Sequence, residues 1–372
     1  MVLRDRRADG EVSNRFIVRT HNAVFPPQRG MAGEVGITMD LGRRLVVAIG
    51  GNAILRDGQK GTAEEQLANL KIACEAISGL VRPGIDMVLT HGNGPQVGNI
   101  LVQNEAARSE VPALPLDVCG AQSQGSLGYL IQQTLGTILK RKLIDRDVVS
   151  LVTQTVVSAA DPAFLKPTKP VGPYYTEEQA RQLSAEKGWK MKEIGDRRFR
   201  RVVASPQPVE MVEADIIRKL VKLGAVVVAA GGGGIPVVRS GDDGFTGVEA
   251  VIDKDLASAT LARDVKADTL MILTDVEKVC LNFRKPDQRP VDRMTVVEAR
   301  RHLAEGQFPA GSMGPKIEAA VRFLSERRER SLDSFMPAGS KYPKQRRKVI
   351  ISSLKMAAAA AQGKTGTIIV PE

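Results

Sequence analysis

Aromatic residues make up only 4% of the 372-residue chain. A surface that stacks unpaired bases needs such rings, so their scarcity argues against a binder of single-stranded nucleic acid. Cysteine is sparse as well: Cys74, Cys119 and Cys280 lie far apart, with no C-x-x-C. That spacing gives neither a disulfide framework nor a zinc site and fits a reducing compartment, so a cytoplasmic location is expected. There are three histidines. His21 falls in the N-terminal segment, His302 on a polar helix, and His91 is expected to support a turn. A serine or cysteine triad therefore has little to work with. No apolar run approaches the roughly 18 residues needed to cross a bilayer, so no membrane partner is expected. No period of 20–50 residues is present, which excludes a solenoid.

The formal charge is +11, but it is unevenly placed. Residues 1–44 carry eight Lys/Arg against five Asp/Glu, and residues 325–348 carry eight against three. These two segments read as solvated basic appendages, not as a nucleic-acid surface. Residues 1–42 are expected to be a flexible N-terminal extension. Their five leading arginines are mixed with Asp5, Asp9 and Glu11 and with one serine, a weak match to an organellar transit peptide. Residues 43–372 form the main domain, with a basic insert at about 326–347.

Within that domain, continuously apolar strands alternate with helices. The strands are LVVAI (45–49), IDMVLT (85–90), VVSLVTQTVV (148–157), AVVVAA (225–230), DTLMILTD (268–275), KVIIS and TGTIIV. Such a pattern predicts an α/β fold, a mainly parallel sheet covered by helices on both faces. Thr62 with Glu65, Thr176 with Gln179 and Thr295 with Glu298 have capping-box spacing and mark helix starts. The proline-rich stretch 158–208 reads as a small protruding subdomain.

Three strands end in glycine loops, AIGGNAI, THGNGPQ and AAGGGGIP. Ligands in such sheets bind beyond the carboxyl ends of strands, where bare amides and helix starts attract anions. Three loops on one edge therefore predict a phosphate or carboxylate cradle. The four consecutive glycines, Gly231 to Gly234, imply a very close visitor to the backbone. The terminal GKTG lacks the first glycine of a phosphate-binding loop and reads as a turn. The Gly92-x-Gly94 loop misses the dinucleotide fingerprint by one residue. Lys254 lies between Asp253 and Asp255 at a helix start, Lys316 stands in GSMGPK, and Lys169 sits in the stiff PTKPVGPYY. An acceptor that is already an oxyanion needs no general base, so amides, lysines and a nucleotide-borne magnesium ion would suffice for phosphoryl transfer.

GGNAI, HGNGPQVG, DVCGAQSQGSLGY, TKPVGPYY, AAGGGGIPVV, EAVIDKDLAS, LTDV and FPAGSMGPKIEAA occur in this order. In motifs and order the chain resembles the carbamate kinases of the amino acid kinase superfamily, from about residue 44 to 325 and again from 348 to 371. The resemblance implies a three-layer αβα sandwich that dimerises. It also implies reversible transfer between ATP and carbamate, giving ADP and carbamoyl phosphate with Mg2+, often run toward ATP in arginine catabolism. Carried across, it makes Lys254, Lys316 and Asp255 the catalytic set. Gly50, Gly51, Asn52, Gly92, Asn93, Gly94 and Lys169 fall on the substrate side. Gly231, Gly232, Gly233, Gly234, Thr274, Asp275, Met313 and Gly314 fall on the nucleotide side, and the resemblance thus implies that the close visitor to the four glycines is the nucleotide phosphate chain. The family usually has a tyrosine where this chain has Cys280, near the expected adenine pocket. Rival readings are a related kinase for a larger carboxylate, a binding protein without turnover, and a dinucleotide-dependent oxidoreductase.

Overall fold

The computed structural model describes residues 39–372 except 57, 242–243, 310 and 326–346. The expected N-terminal extension, apart from its last few residues, and nearly all of the basic insert thus lie outside the described residues. The central sheet has eight strands. In spatial order they are Arg293–Thr295, Thr367–Val370, Lys348–Ser353, Thr269–Thr274, Arg44–Ile49, Asp86–His91, Val226–Val228 and Val148–Ser150. Neighbours run parallel except Lys348–Ser353 against Thr367–Val370.

Both faces of this sheet are buried, and successive residues feed opposite sides. Val46, Ala48, Val88, Leu270 and Ile272 join one apolar cluster with Ile217, Leu261 and Phe323. Leu45, Val47, Met87, Leu89 and Met271 join another, with Leu70, Ile77, Ile131 and Leu135. Helices Ala63–Ser78 and Leu116–Arg141 cover the second face. Helices Ala214–Lys222, Lys254–Asp264 and Met313–Ser325 cover the first. This is the αβα sandwich that the apolar strands imply. All three capping boxes form, each with side-chain and backbone bonds in both directions. No described helix is long and apolar enough to cross a membrane.

The stretch 148–157, expected as one strand, is two. Val148–Ser150 belongs to the central sheet, whereas Gln154–Val157 belongs to a separate four-stranded sheet. Its neighbour does the same: Val226–Val228 pairs with Val148–Ser150, and Ile235–Ser240 pairs with Gln154–Val157. Two adjacent strands leave one sheet together and re-pair in another. The four glycines lie at this change of direction. Ala230, Gly232, Gly233 and Gly234 all have left-handed backbone, with φ of 51°, 65°, 97° and 84°. A run of such angles is open to glycine and strained for other residues.

The excursion at 158–208 carries its own three-stranded sheet, Lys169–Tyr175, Phe199–Val203 and Met191–Glu193, with helix Glu177–Lys187. Val171 and Val203 pack with Val97, Leu116 and Cys119, so the base of this subdomain is fixed to the main body.

Candidate active site

Strands Thr269–Thr274, Arg44–Ile49, Asp86–His91 and Val226–Val228 are neighbours. The three glycine loops and the Asp275 turn that follow them therefore leave the sheet side by side. After Ile49 the chain makes a short 3-10 turn, Gly51–Ala53. A Cβ added to Gly92 would lie 3.1 Å from the Gly51 nitrogen and 3.5 Å from Cδ of Lys254. Gly92 therefore lets the first two loops and a lysine meet. Asn52 donates to Asp275 Oδ2 at 2.8 Å and ties the first loop to the end of strand Thr269–Thr274.

Lys254 opens helix Lys254–Asp264, with Asp253 as its cap. The helix is locked to the sheet through Ser258, whose hydroxyl is 2.6 Å from that of Thr90. Asp255, 3% exposed, points into the site. Its Oδ1 accepts from Lys254 Nζ at 2.5 Å, and its Oδ2 accepts from Lys316 Nζ at 3.0 Å. Burial pushes the Asp255 carboxyl up, but the two ammonium groups outweigh burial and hold it below the usual carboxylate range. It is therefore ionised throughout the neutral range. Its contribution to stability is intact above the unfolded carboxylate pKa of about 4 and is lost as pH falls through its lower folded value.

Lys254 and Lys316 share a cavity of about 460 Å³ with Gly50, Gly51, Asn52, Thr274, Asp275 and Met313. The size suits a small-molecule ligand. Lys278, Cys280, Phe283, Arg284, Phe308 and Ser312 line its other side. Of these, only Cys280 was singled out in the sequence. The available signal is their place in LTDVEKVCLNFR and FPAGSMG, the loops flanking Asp275 and Lys316.

Lys169 of the protruding subdomain reaches the same helix start: its Nζ is 3.2 Å from Asp253 Oδ2. Gly94 begins helix Gly94–Ala106, with Pro95 in the first turn. Gly314 lies between the cavity-lining residues Met313 and Lys316. It is absent from the cavity lining, is buried, and its amide donates to the Pro309 carbonyl at 2.9 Å. It shapes the turn that presents Met313 and Lys316.

The four glycines are pressed closely by other parts of the chain. A Cβ on Gly231 would fall 2.5 Å from the His91 ring, and one on Gly232 would fall 2.1 Å from Asn93 Nδ2. At Gly233 it would meet the Ile252 carbonyl at 2.6 Å, and at Gly234 the Thr155 hydroxyl at 2.0 Å. None of the four lines the cavity that holds Lys254 and Lys316. Gly231 and Gly232 form a socket for two side chains of the HGNG loop, and Gly233 and Gly234 admit Ile252 and Thr155. Asn93, seated there, donates to Ser123 Oγ at 2.6 Å, which fixes the loop to helix Leu116–Arg141.

His91 is 1% exposed, with Nδ1 2.9 Å from the Gly92 carbonyl. Burial, aided by Lys254, pushes its pKa down to about 4 against the opposing pull of the Gly92 carbonyl. The ring is thus neutral in the folded protein, with Nδ1 donating, and supports its turn. The unfolded chain binds a proton that the folded chain refuses, so stability should fall as pH drops from about 6.5 toward about 4. Urea unfolding at pH 7 and pH 5 checks this; His91→Asn should flatten the difference.

The amino acid kinase family model matches residues 43–331. The carbamate kinase of Pyrococcus furiosus is 46% identical over 333 residues, 89% of this chain and 100% of the relative. Among solved structures, carbamate kinase from Giardia lamblia bound to AMP-PNP is 41% identical with a TM-score of 0.79, covering 89% of this chain and 99% of that one. The same Giardia enzyme thiocarbamoylated by disulfiram on a cysteine is 40% identical with a TM-score of 0.77, covering 88% and 99%. Identity at this level over nearly the whole length of each relative, with two lysines meeting on one buried aspartate, leads to one conclusion: the chain belongs to the amino acid kinase family, among the carbamate kinases.

Proposed function

We propose that this chain transfers a phosphoryl group reversibly between ATP and carbamate, giving ADP and carbamoyl phosphate. The observation that carries the reading is Asp255 bridging Lys254 and Lys316 at the wall of a single cavity. Two ammonium groups held there flank a position where negative charge passes from donor to acceptor. A helix N-terminus adds a partial positive charge at the same place. Carbamate is already anionic, so no side chain has to remove a proton. The work of the site is alignment and charge neutralisation.

In this reading the nucleotide lies along Thr274, Asp275 and Met313, with its base toward Cys280 and Phe283. Gly50, Gly51 and Asn52 face the transferred group. Lys169, brought over by the protruding subdomain, closes the small acceptor against Gly92, Asn93 and Gly94. The glycines at 231–234 serve the nucleotide indirectly, by seating His91 and Asn93. Magnesium would arrive with the nucleotide and neutralise its phosphate oxygens. The lining fits an ion carried mainly by the nucleotide: both Asp255 oxygens are held by lysines, whereas Asp275, which lines the cavity, uses only Oδ2 on Asn52 and would be the carboxylate able to face the ion. The family resemblance further supports a homodimer working toward ATP in arginine catabolism.

The direct test is ATP formation from ADP and carbamoyl phosphate, coupled to a reporter enzyme. Turnover with an acylated amino acid in place of carbamate would favour the kinase for a larger carboxylate. ADP binding by calorimetry with no ATP formed would favour the binding protein.

Cys280 gives an independent check of where the nucleotide sits. Cys74 and Cys119 are buried, whereas Cys280 is half-buried and lines the cavity. Disulfiram is therefore expected to modify Cys280 and abolish activity, and saturating ADP should slow that modification at least several-fold. Peptide mapping by mass spectrometry locates the adduct. Labelling of Cys280 at the same rate with and without ADP would move the nucleotide elsewhere.

A further inference from the structure

Asp253 stands one residue before Lys254, and its two carboxylate oxygens have different partners. Oδ1 accepts the amides of Asp255 at 2.9 Å and Leu256 at 3.5 Å, capping helix Lys254–Asp264. Oδ2 accepts the ammonium of Lys169 at 3.2 Å, across 84 residues of chain. Lys169 begins the strand Lys169–Tyr175 of the protruding subdomain, where Pro170 follows it. One side chain thus ties the protruding subdomain to the helix start that carries Lys254 and Asp255.

We infer that Asp253 is a positioning residue for phosphoryl transfer: it aims the Lys169 ammonium at the reacting groups while it fixes the helix start. The inference rests on the role proposed above for Lys169. The Lys169 side chain is 38% exposed and that of Asp253 20% exposed. A long, solvated lysine samples many rotamers, and holding it in one costs side-chain entropy. Asp253 is already immobilised by the two amides it caps, so it supplies a fixed acceptor. An ammonium has three N–H donors, so a bond to one carboxylate oxygen leaves others for a phosphate oxygen. The pair therefore orients Lys169 without sequestering it. Asp255 is not available for this task, because both its oxygens are taken by Lys254 and Lys316.

Asp253→Asn separates the two jobs. Asparagine caps helices as well as aspartate does. With its oxygen on the helix amides, its NH2 group faces Lys169 and offers no acceptor. The expected result is an unchanged melting midpoint, an unchanged KM for ADP, and a KM for carbamoyl phosphate raised about tenfold, the scale of one lost charge-assisted bond. Asp253→Ser, which caps but cannot reach Lys169, should behave alike. Because Asp253 acts through Lys169, adding Asp253→Asn to Lys169→Ala should change little further.

Each failure has its own meaning. A wild-type KM for carbamoyl phosphate in Lys169→Ala would remove the proposed role of Lys169 itself. An impaired Lys169→Ala beside Asp253→Asn and Asp253→Ser variants that bind carbamoyl phosphate as well as wild type, or tighter, would overturn the positioning role alone. So would an effect of Asp253→Asn that is equally large with and without Lys169.

Discussion

Replacing Lys254 or Lys316 by alanine is expected to lower kcat for ATP formation by on the order of 10²–10³ in each case, as loss of one preorganised donor does. The magnitude follows from how little else can take over. Each ammonium group is largely removed from water, with side chains 16% and 12% exposed. In such a place a fixed charge acts on the transferring group with little solvent screening. Each variant also leaves Asp255 with one partner where it had two, so a buried carboxylate loses half of its compensation. The two effects share that carboxylate, so the double variant should lose less than the product of the single losses. Arginine should not rescue Lys254, because a planar fork cannot replace a compact ammonium beside Gly92. Steady-state kinetics with ADP and carbamoyl phosphate, together with calorimetry of ADP binding, makes the check. Turnover near the wild-type rate in both single variants would remove the assignment.

Gly232→Ala is expected to lower kcat/KM for carbamoyl phosphate by on the order of 10², the scale of an ångström-level misplacement of a reacting group. Two causes act together. The backbone at Gly232 has φ 65°, which alanine adopts only at a cost, and its Cβ would lie 2.1 Å from Asn93 Nδ2. Asn93 must therefore leave its seat, and its bond to Ser123 goes with it. The HGNG loop then shifts relative to Gly51 and Lys254. ADP affinity should change far less, since Gly232 does not line the cavity. Gly125→Ala is the control: this exposed glycine sits in helix Leu116–Arg141, and its Cβ would meet nothing within 4 Å. That variant should keep wild-type turnover and gain up to about 1 kcal/mol of stability from helix propensity. Equal ADP and carbamoyl phosphate defects in Gly232→Ala would mean a general loss of folding, not displacement of one loop.

Much of this protein could be read before any coordinates. The capping boxes at Thr62, Thr176 and Thr295 are local bonds between residues three apart, so spacing alone revealed them. The alternation of apolar strands with helices implied a covered parallel sheet, and the three glycine loops implied one crowded edge. Recognition of Lys254, Lys316 and Lys169 came from motifs, and all three ammonium groups do converge on the start of one helix.

The chain alone determined which segments are strands or helices and where an anion-binding edge would lie, because periodicity, caps and glycine turns are short-range properties. Only the tertiary structure decided who meets whom across long separations. Asp255 bonds a lysine 61 residues away, and Asp253 one 84 residues away; no local pattern encodes either pair. The same holds for the four glycines. Sequence showed that something must press against that backbone, but both a phosphate and a neighbouring side chain satisfy the demand. The folded chain sets His91 and Asn93 against the first two glycines and Ile252 and Thr155 against the last two, since two adjacent strands turn from one sheet to the next there.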